Sequence, residues 1–238
     1  MSASDVRAYY DDFSRTYDLG RDRGYHAMVD DIETSAVLAL ASGREVLEVG
    51  CGTGLVLERV APVARRAEGV DLSPGMLAHA RARGLSVREG DATKLPFADE
   101  SFDLAYAFKV LAHVPDVDRA IAEMFRVVRP GGHVLVEVYN RRSLRFVSRW
   151  LRGARRIGTS HDESDVPTRW ETLEETLARL PTGATVERLV GARVLTPFAQ
   201  LHRVPLIGPA LGVMERRVAD GRLARFGGFL VIVARKAH

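Results

Sequence analysis

The sequence predicts an α/β protein in which helices cover both faces of a mostly parallel β-sheet and a small cap lies over one end. Between residues 42 and 140, short apolar runs alternate with segments of helical period, a βαβ succession that favours a parallel sheet with right-handed crossovers. The 238 residues suit one domain, and 46% hydrophobic with 27% charged residues is an ordinary globular balance.

The central part, residues 42–140, is predicted to contain five strands separated by helices. Short apolar runs predict strands over Glu45–Val49, Ala67–Val70, Leu85–Glu89, Phe102–Phe108 and His133–Tyr139. Helical signals predict helices over 53–60, from Ser73 to about Arg83, and over 116–128. Ser73 followed by Pro74 is a typical helix start, because Ser caps the first turn and Pro occupies its first position.

The two flanking parts are predicted to form the cap and one edge of the sheet. Residues 1–41 have the pattern of amphipathic lid helices. Residues 141–226 are predicted as cap segments with a short helix at 172–180 and an interleaved strand at 185–195; within them, 196–226 are predicted as a loop–helix insertion. A final strand at 227–236 is expected to pair antiparallel with that interleaved strand.

Several classes of protein and site are disfavoured by composition. Cys51 is the single cysteine, so the chain can form no internal disulfide and no Cys-rich metal site, and no metal is predicted. The N-terminus lacks the pattern of a signal peptide, and no apolar run reaches the roughly 18 residues needed to span a bilayer. We therefore expect a soluble, cytoplasmic protein.

A glycine loop after the first strand predicts a nucleoside-containing cofactor. Gly50, Gly52 and Gly54 let a ligand approach the backbone, and Asp71 after the second strand can accept hydrogen bonds from ribose hydroxyls. Glu48 lies two residues before the first glycine, and its carboxylate would attract the cationic amino acid end of S-adenosylmethionine and repel a pyrophosphate. The spacing therefore favours S-adenosylmethionine, with S-adenosylhomocysteine as its product.

Residues 45–140 resemble a class I S-adenosylmethionine-dependent methyltransferase of the UbiE-like, or type 11, group. The resemblance depends on several motifs in the same order, namely Val46–Gly54, Gly69–Leu77, Glu89–Ala92, Leu95–Asp103, His113–Asp116 and Val128–Gly132. It implies a Rossmann-like, seven-stranded sheet and methyl transfer from S-adenosylmethionine. The segments 1–44 and 141–226 lie outside the resemblance.

The resemblance also implies a set of cofactor-binding residues. They are Tyr17, Glu48, Gly50, Gly52, Gly54, Asp71, Leu72, Met76, Asp91, Ala92, Phe108 and Lys109. Asp71 would hold the ribose, Asp91 would accept from the adenine amino group, and the Phe108–Lys109 backbone would lie below the sulfonium. Three of them have a structural alternative: Asp71 can be a helix N-terminal acid, Asp91 a loop acid and Met76 a core residue.

Methyl transfer by in-line displacement needs a base only when the acceptor is a poor nucleophile such as a hydroxyl. His113 is the candidate base because it follows the fourth strand, although it could also bond the backbone of the adjacent turn. Tyr10, His26 and His202 are candidates to face the substrate. Lys109 could orient an acidic substrate, or its side chain could only extend from the strand end to solvent.

Residues 141–156 hold seven arginines and no acid. This segment, Arg141–Arg156, can be a cap helix whose apolar stripe of Leu144, Val147, Leu151 and Ala154 packs on the domain. It can also be an interfacial helix that contacts anionic lipid, or it can recognise an anionic small substrate. The absence of an aromatic platform argues against nucleic acid as a partner.

The sequence thus predicts methyl transfer to an oxygen, nitrogen or carbon of a small-molecule metabolite. Two alternatives stay open: a membrane-surface methyltransferase that acts on a quinone or lipid, and a non-catalytic S-adenosylmethionine-binding accessory protein. The oligomeric state is not predicted.

Overall fold

A computed structural model describes residues 3–152, 156–157, 161–162 and 168–238, with side chains for 7–150 and 168–238. One seven-stranded sheet is built from β1 (Glu45–Val49), β2 (Arg66–Asp71), β3 (Val87–Glu89), β4 (Phe102–Ala107), β5 (Val128–Tyr139), β6 (Thr185–Ala192) and β7 (Phe229–Arg235). Its order is β3-β2-β1-β4-β5-β7-β6. The pairs from β3 to β5 are parallel, and β7 is antiparallel to both of its neighbours. The predicted Rossmann-like fold and antiparallel edge are confirmed.

Helices cover both faces of the sheet. They are α1 (Ala3–Phe13), α2 (Gly24–Ala41), α3 (Leu57–Val60), α4 (Pro74–Ala82), α5 (Val117–Val127), α6 (Leu144–Arg152), α7 (Leu173–Leu177) and α8 (Ile207–Val218). Successive strand residues point to opposite faces, so Val46 and Leu104 pack in one core with α2, while Leu47 and Ala105 pack in another with α5. Among the described residues, no helix is both long and apolar enough to span a membrane.

Several element boundaries differ from those predicted. Residues 3–41 form two helices, with positive φ at Gly20 in the turns between them and at Gly24, the first residue of α2. The glycine loop does not enter a helix at Thr53: Gly54 has φ +86°, a left-handed conformation, and α3 starts only at Leu57.

The fifth strand is longer than predicted and starts at Val128. This strand includes the Pro130-Gly131-Gly132 segment, which was expected to lie before it. Its pairing with β4 shifts register between Phe102 and Leu104. The predicted helix at 172–180 is reduced to α7, although its capping box between Thr172 and Glu175 is present.

The last strands are also shorter than predicted. β6 ends at Ala192, and the buried Glu215 carboxylate accepts hydrogen bonds from the N–H groups of Val194, Leu195 and Thr196. The 196–226 insertion contains 3₁₀ turns at Ala199–Arg203 and Ala224–Phe226 on either side of α8. The final strand, predicted over 227–236, is observed as Phe229–Arg235.

In helix α6, the described part of the predicted apolar stripe faces outward. Leu144 and Val147 are 47% and 49% exposed and the flanking Trp150 is 77% exposed, which does not favour the alternative of a cap helix that packs on the domain through this stripe. Arg145 instead lies 4.1 Å from the ring centroid of Tyr139, and the rings of Trp170 and Phe229 are also within 5 Å. Guanidinium groups stack favourably on aromatic faces, which explains why the arginine points inward. The side chains of Leu151, Arg152, Ala154, Arg155 and Arg156 lie outside the described residues.

Candidate active site

A cavity of about 310 Å³ lies at the carboxyl ends of β1 to β4, the edge where parallel sheets bind their ligands. We call it the donor cavity. Most of the predicted cofactor residues line it: Tyr17, Gly50, Gly52, Asp71, Leu72, Met76, Asp91, Ala92, Phe108 and Lys109. It therefore unites residues from six separate stretches of the sequence.

The glycine loop is shaped by close backbone contacts. Gly50 has φ +73°, and a Cβ atom there would lie 2.1 Å from Val110. Gly52 has φ +52°, and the nearest atom to a Cβ would be the Met76 sulfur at 4.0 Å, so this glycine opens into the donor cavity. The two carboxylate oxygens of Asp71 accept hydrogen bonds from the N–H groups of Gly52 at 2.8 Å and Ser73 at 2.9 Å. Asp71 therefore fixes the loop beside the cavity.

The other end of the donor cavity is apolar with one acid at its rim. Met76 is buried, and its N–H donates to the hydroxyl of Ser73, the N-cap of α4. Leu72 lies beside it in the wall. Asp91 is exposed, and its Oδ1 accepts 2.8 Å hydrogen bonds from the N–H and the hydroxyl of Thr93. This arrangement offers a flat apolar slot that ends in a carboxylate.

The charges that line the donor cavity suit a cationic ligand. Asp71, Asp91 and Asp116 contribute carboxylates, whereas Lys109 is the one cation in the described lining. The Lys109 ammonium donates to Asp30 at 2.8 Å and contacts Glu33, so two acids offset its charge. Such a wall fits a sulfonium and would disfavour a pyrophosphate.

Glu48 is a buried residue beside the glycine loop. It is 4% exposed, lies outside the donor cavity, and accepts a hydrogen bond from the Tyr106 hydroxyl at 3.0 Å. Burial raises its pKa to about 8, so it is mostly a neutral acid at pH 7. Glu48 borders a side cavity of about 40 Å³ instead, which also contacts Gly50 and Gly52.

Gly54 also lies outside the donor cavity. A Cβ atom at Gly54 would lie 2.4 Å from the Leu85 side chain and 3.3 Å from Ala80. This glycine therefore permits close packing between the loop and the α4–β3 connection.

Beside the donor cavity lies a buried charge network that the sequence analysis missed. The backbone N–H of Lys109, at φ +60°, donates to Glu137 at 3.0 Å. Burial opposes the charge on the Lys109 ammonium, but Glu33 and Asp30 hold its pKa above the ordinary value. Burial raises the pKa of Glu137 well above its usual range, and the adjacent Glu33 carboxyl adds to this effect. Lys109 is thereby fixed to the protein, which corrects the expectation that it extends to solvent.

Arg21 and Asp30 complete this network next to the glycine loop. The Arg21 guanidinium donates to both oxygens of Asp30 at 3.0 and 3.3 Å, and it lies 4.6 Å from the Tyr17 ring centroid. Two sequence signals could have revealed the network. Asp30 and Glu33 stand three residues apart on the buried face of α2, and Glu137 interrupts the apolar run 134–139 at the end of β5.

A second cavity, of about 270 Å³, lies next to the first and is bounded by aromatic and basic side chains. We call it the acceptor cavity. Its lining is Tyr9, Tyr10, Phe13, Tyr17, Arg21, His26, Lys109, His113, Tyr139, Arg145, Arg149, Thr168 and Trp170. Tyr10, Tyr17, Lys109 and His113 line both cavities, so these four residues form the boundary between them.

Comparison with known proteins assigns the family. The family described as a methyltransferase domain matches residues 47–136. A demethylmenaquinone methyltransferase of Thermobifida fusca is 32% identical over 205 residues, which cover 79% of this chain and 85% of that protein. The chain belongs to the class I S-adenosylmethionine-dependent methyltransferases.

Two further relatives define how far this similarity extends. A probable S-adenosylmethionine-dependent methyltransferase of Mycolicibacterium smegmatis is 43% identical over 102 residues, 42% of this methyltransferase but only 40% of that protein's length. Among solved structures, an S-adenosylmethionine-dependent methyltransferase from Thermotoga maritima has a TM-score of 0.73 at 25% identity, covering 97% of this chain and 99% of that one. The cofactor is S-adenosylmethionine, and the alternative of a non-catalytic accessory protein gains no support.

The candidate substrate residues of the methyltransferase are only partly brought together. The His113 ring lies between those of Tyr10, at 6.5 Å, and Tyr139, at 5.7 Å. His26 lines the acceptor cavity, and burial lowers its pKa. His202 lies outside both cavities, with its Nε2 atom 3.0 Å from the Thr196 hydroxyl. The structure therefore does not bring His202 together with the other candidate substrate residues.

The N-terminal lid of the methyltransferase is held over the donor cavity by two acids that the sequence analysis missed. Asp11 accepts hydrogen bonds from the Ser73 hydroxyl at 2.5 Å and the Gly75 N–H at 2.9 Å. Asp18 accepts from the Thr53 hydroxyl at 2.6 Å and from Arg83 at 2.8 Å. The lid is thereby tied to the start of α4 and to the glycine loop.

Proposed function

We propose that this methyltransferase transfers the methyl group of S-adenosylmethionine to a small molecule that binds in the acceptor cavity. The proposal is supported by the four residues that line both cavities, Tyr10, Tyr17, Lys109 and His113. In-line displacement requires donor and acceptor atoms to be aligned at close range, and a shared boundary between two cavities meets that requirement.

The donor cavity offers a defined place for each part of the cofactor. Asp71 would accept hydrogen bonds from the ribose, while Leu72 and Met76 would flank the adenine ring. Asp91 would accept from the adenine amino group, with the Ala92 N–H donating to the ring. The backbone of Gly50 and Gly52 would line the methionine part, and that of Phe108 and Lys109 would lie below the sulfonium.

His113 would serve as the general base for an acceptor hydroxyl. When bound, S-adenosylmethionine supplies an electrophilic methyl group, and its product is neutral, so no acid is needed to assist departure. The chain then has to orient the acceptor, exclude water and remove one proton. His113 lies at the boundary of both cavities, and the rings of Tyr10 and Tyr139 on either side restrict its orientation.

Labelled cofactor tests this function directly. The full chain is incubated with methyl-labelled S-adenosylmethionine and the small-molecule fraction of a bacterial extract. We expect label to appear in low-mass products, and Asp71→Ala to abolish the transfer while Asp99→Ala, at an exposed acid far from the cavities, retains it. Label found only in protein or nucleic acid, or in no product, would overturn the proposal.

A second candidate function is methyl transfer to a quinone or lipid at a membrane surface. It is favoured by the outward-facing Leu144, Val147 and Trp150 of α6, and by the demethylmenaquinone methyltransferases among the relatives. Flotation with phosphatidylglycerol vesicles at low salt tests it. Trp150→Ala should reduce flotation and Leu19→Ala, at an equally exposed lid residue, should not. Wild-type protein that fails to float would exclude this candidate.

A further inference from the structure

Two fully buried glutamates of the charge network, Glu33 and Glu137, are hydrogen-bonded to each other beside Lys109. One oxygen of each is engaged with Lys109: Glu33 Oε2 contacts its ammonium, and Glu137 Oε1 accepts its backbone N–H at 3.0 Å. The other two oxygens, Glu33 Oε1 and Glu137 Oε2, are buried and meet no N–H or O–H donor in the part of the chain that the structure describes. Each acid therefore has one oxygen whose only partner can be the other acid.

These two oxygens require a proton between the carboxyl groups. An ionised carboxyl group only accepts hydrogen bonds, so two carboxylates in contact would repel each other and leave both oxygens unpaired. A single proton turns one of the acids into a donor and satisfies both oxygens at once.

The charge balance of the network leads to the same count. Its described members are three carboxyl groups and two cations, namely Asp30, Glu33, Glu137, Arg21 and Lys109. With one proton on the glutamate pair, two negative charges face two positive charges. Without it, one negative charge would stay uncompensated in the core, which is costly. Burial shifts the pKa of the other titratable groups around the network toward their neutral forms, namely Tyr17, His26, Glu48 and Tyr139.

The glutamate pair holds both ends of Lys109. Its backbone has φ +60°, a left-handed conformation that a lysine rarely adopts, and its N–H is fixed by Glu137. Its ammonium is fixed by Glu33 together with Asp30. Because Lys109 lines both cavities, the geometry of their boundary depends on the two carboxyl groups behind it.

We infer that Glu33 and Glu137 share one proton, with the Glu137 O–H donating to the Glu33 carboxylate, and that this pair positions the Lys109 backbone at the boundary of the two cavities. Burial raises the pKa of both carboxyl groups, that of Glu137 well above its usual range, so the proton is retained at neutral pH. Both are positioning residues, because neither lines a cavity and they reach a bound cofactor only through Lys109. The inference rests on the proposed function only in taking the Lys109 backbone as the surface below the sulfonium.

Infrared spectroscopy of the full chain without ligand tests the shared proton, because a protonated carboxyl group absorbs apart from a carboxylate and its band shifts in D₂O. Glu137→Gln and Glu33→Gln each keep the hydrogen bond, since the amide N–H takes the place of the acidic proton. The remaining acid is then needed in its charged form. Each variant should therefore lose one protonated carboxyl group relative to wild type at pH 7. A band of wild-type intensity in either variant would mean that the proton is not shared, and would overturn the inference.

Two further glutamates calibrate this measurement. Glu48→Gln should also lose one protonated carboxyl group, because Glu48 is mostly neutral at pH 7. Glu123→Gln should lose none, because hydrogen bonds from Arg126 lower the pKa of this buried acid.

Calorimetry with S-adenosylhomocysteine tests the positioning of Lys109. Glu137→Leu removes the acceptor of the Lys109 N–H, and we expect binding on the order of tenfold weaker. Glu137→Gln keeps both hydrogen bonds and should restore the wild-type affinity. Glu68→Leu is the matched control, because it replaces a buried acid of β2 outside both cavities. Wild-type affinity in folded Glu137→Leu, or a Gln variant as weak as the Leu variant, would refute the positioning role.

The proposed function and this inference can fail separately. Neither measurement needs turnover or an acceptor, so the expected infrared losses and the rescue by Gln would uphold the inference even if no labelled product were found. Labelled low-mass products from a chain whose Glu33→Gln and Glu137→Gln variants keep every protonated carboxyl group would leave the methyl transfer intact and overturn the inference alone.

Discussion

Tyr106 donates a hydrogen bond from its hydroxyl to Glu48 over 3.0 Å, in the buried layer beneath the glycine loop. Because burial raises the pKa of Glu48 to about 8, the pair is a neutral hydrogen bond at pH 7 rather than a phenol bound to a carboxylate. The acid of the glycine motif therefore supports the loop from below, and its ionisation is coupled to the folding of the site.

Replacement of Glu48 by Gln should change how stability depends on pH. The folded pKa of about 8 lies above the ordinary 4.5, so the folded state binds the proton more tightly and stability falls as pH rises between these values. Glu48→Gln removes this component. Relative to wild type, we expect the variant to gain about 4 kcal/mol in the free energy of unfolding between pH 5 and pH 9.

Urea denaturation at the two pH values measures this difference. Glu58→Gln is the control, because Glu58 is half-exposed on α3 and pairs with Arg83. If the difference in the free energy of unfolding between Glu48→Gln and wild type is the same at pH 5 and pH 9, Glu48 is not a neutral acid at pH 7.

Alanine at three glycines should separate packing from cofactor contact. Gly52, Gly54 and Gly84 all have positive φ, so each Ala variant loses about 1 kcal/mol to backbone strain. Gly84 has no atom within 4 Å of a Cβ and measures this strain alone. Gly54→Ala also meets Leu85 and should lose a further 1–3 kcal/mol.

Gly52→Ala should match Gly84→Ala in thermal stability. It should nevertheless bind S-adenosylhomocysteine about tenfold more weakly than Gly84→Ala in calorimetry, because its methyl group enters the donor cavity beside Met76. If Gly54→Ala weakens S-adenosylhomocysteine binding by the folded protein more than Gly52→Ala does, Gly54 belongs to the cofactor site.

The lid should loosen when Asp11 loses its charge. Asp11→Asn weakens two charge-assisted hydrogen bonds, from Ser73 and Gly75, each worth about 1.5–3 kcal/mol. We therefore expect S-adenosylhomocysteine to dissociate on the order of tenfold faster in stopped-flow displacement. Asp12→Asn is the control, because the Asp12 carboxylate is half-exposed and lies 3.7 Å from the Arg15 guanidinium. S-adenosylhomocysteine should dissociate from this variant at the wild-type rate. Identical rates for both variants would mean that the lid contact does not retain the ligand.

His113→Gln should slow methyl transfer to a hydroxyl acceptor while leaving cofactor binding intact. General base catalysis contributes about 10²–10⁴-fold, so we expect kcat to fall at least a hundredfold. His79→Gln, at an exposed residue of α4, should behave as wild type. A His113→Gln enzyme with unchanged kcat would show that this histidine only supports the turn.

The donor cavity could be predicted from local features of the sequence. The glycine spacing, the Ser73–Pro74 helix start and the alternation of strands and helices are local signals, because each depends on residues within one turn or one strand. Parallel strands then place their carboxyl ends at one edge, so the positions of Asp71 and Asp91 along the chain were enough to predict that they share a cavity.

The acceptor cavity and the charge state of Glu48 below the loop could not be predicted, because both depend on contacts between distant segments. The acceptor cavity takes its walls from α1, the end of β5, α6 and Trp170, which no spacing rule connects. Arg145 turns inward because three rings from distant segments form a surface for its guanidinium, which outweighs the amphipathic pattern of its own helix. Glu48 is neutral because the folded chain removes water from it, and burial is a property of the assembled layers rather than of any short stretch of sequence.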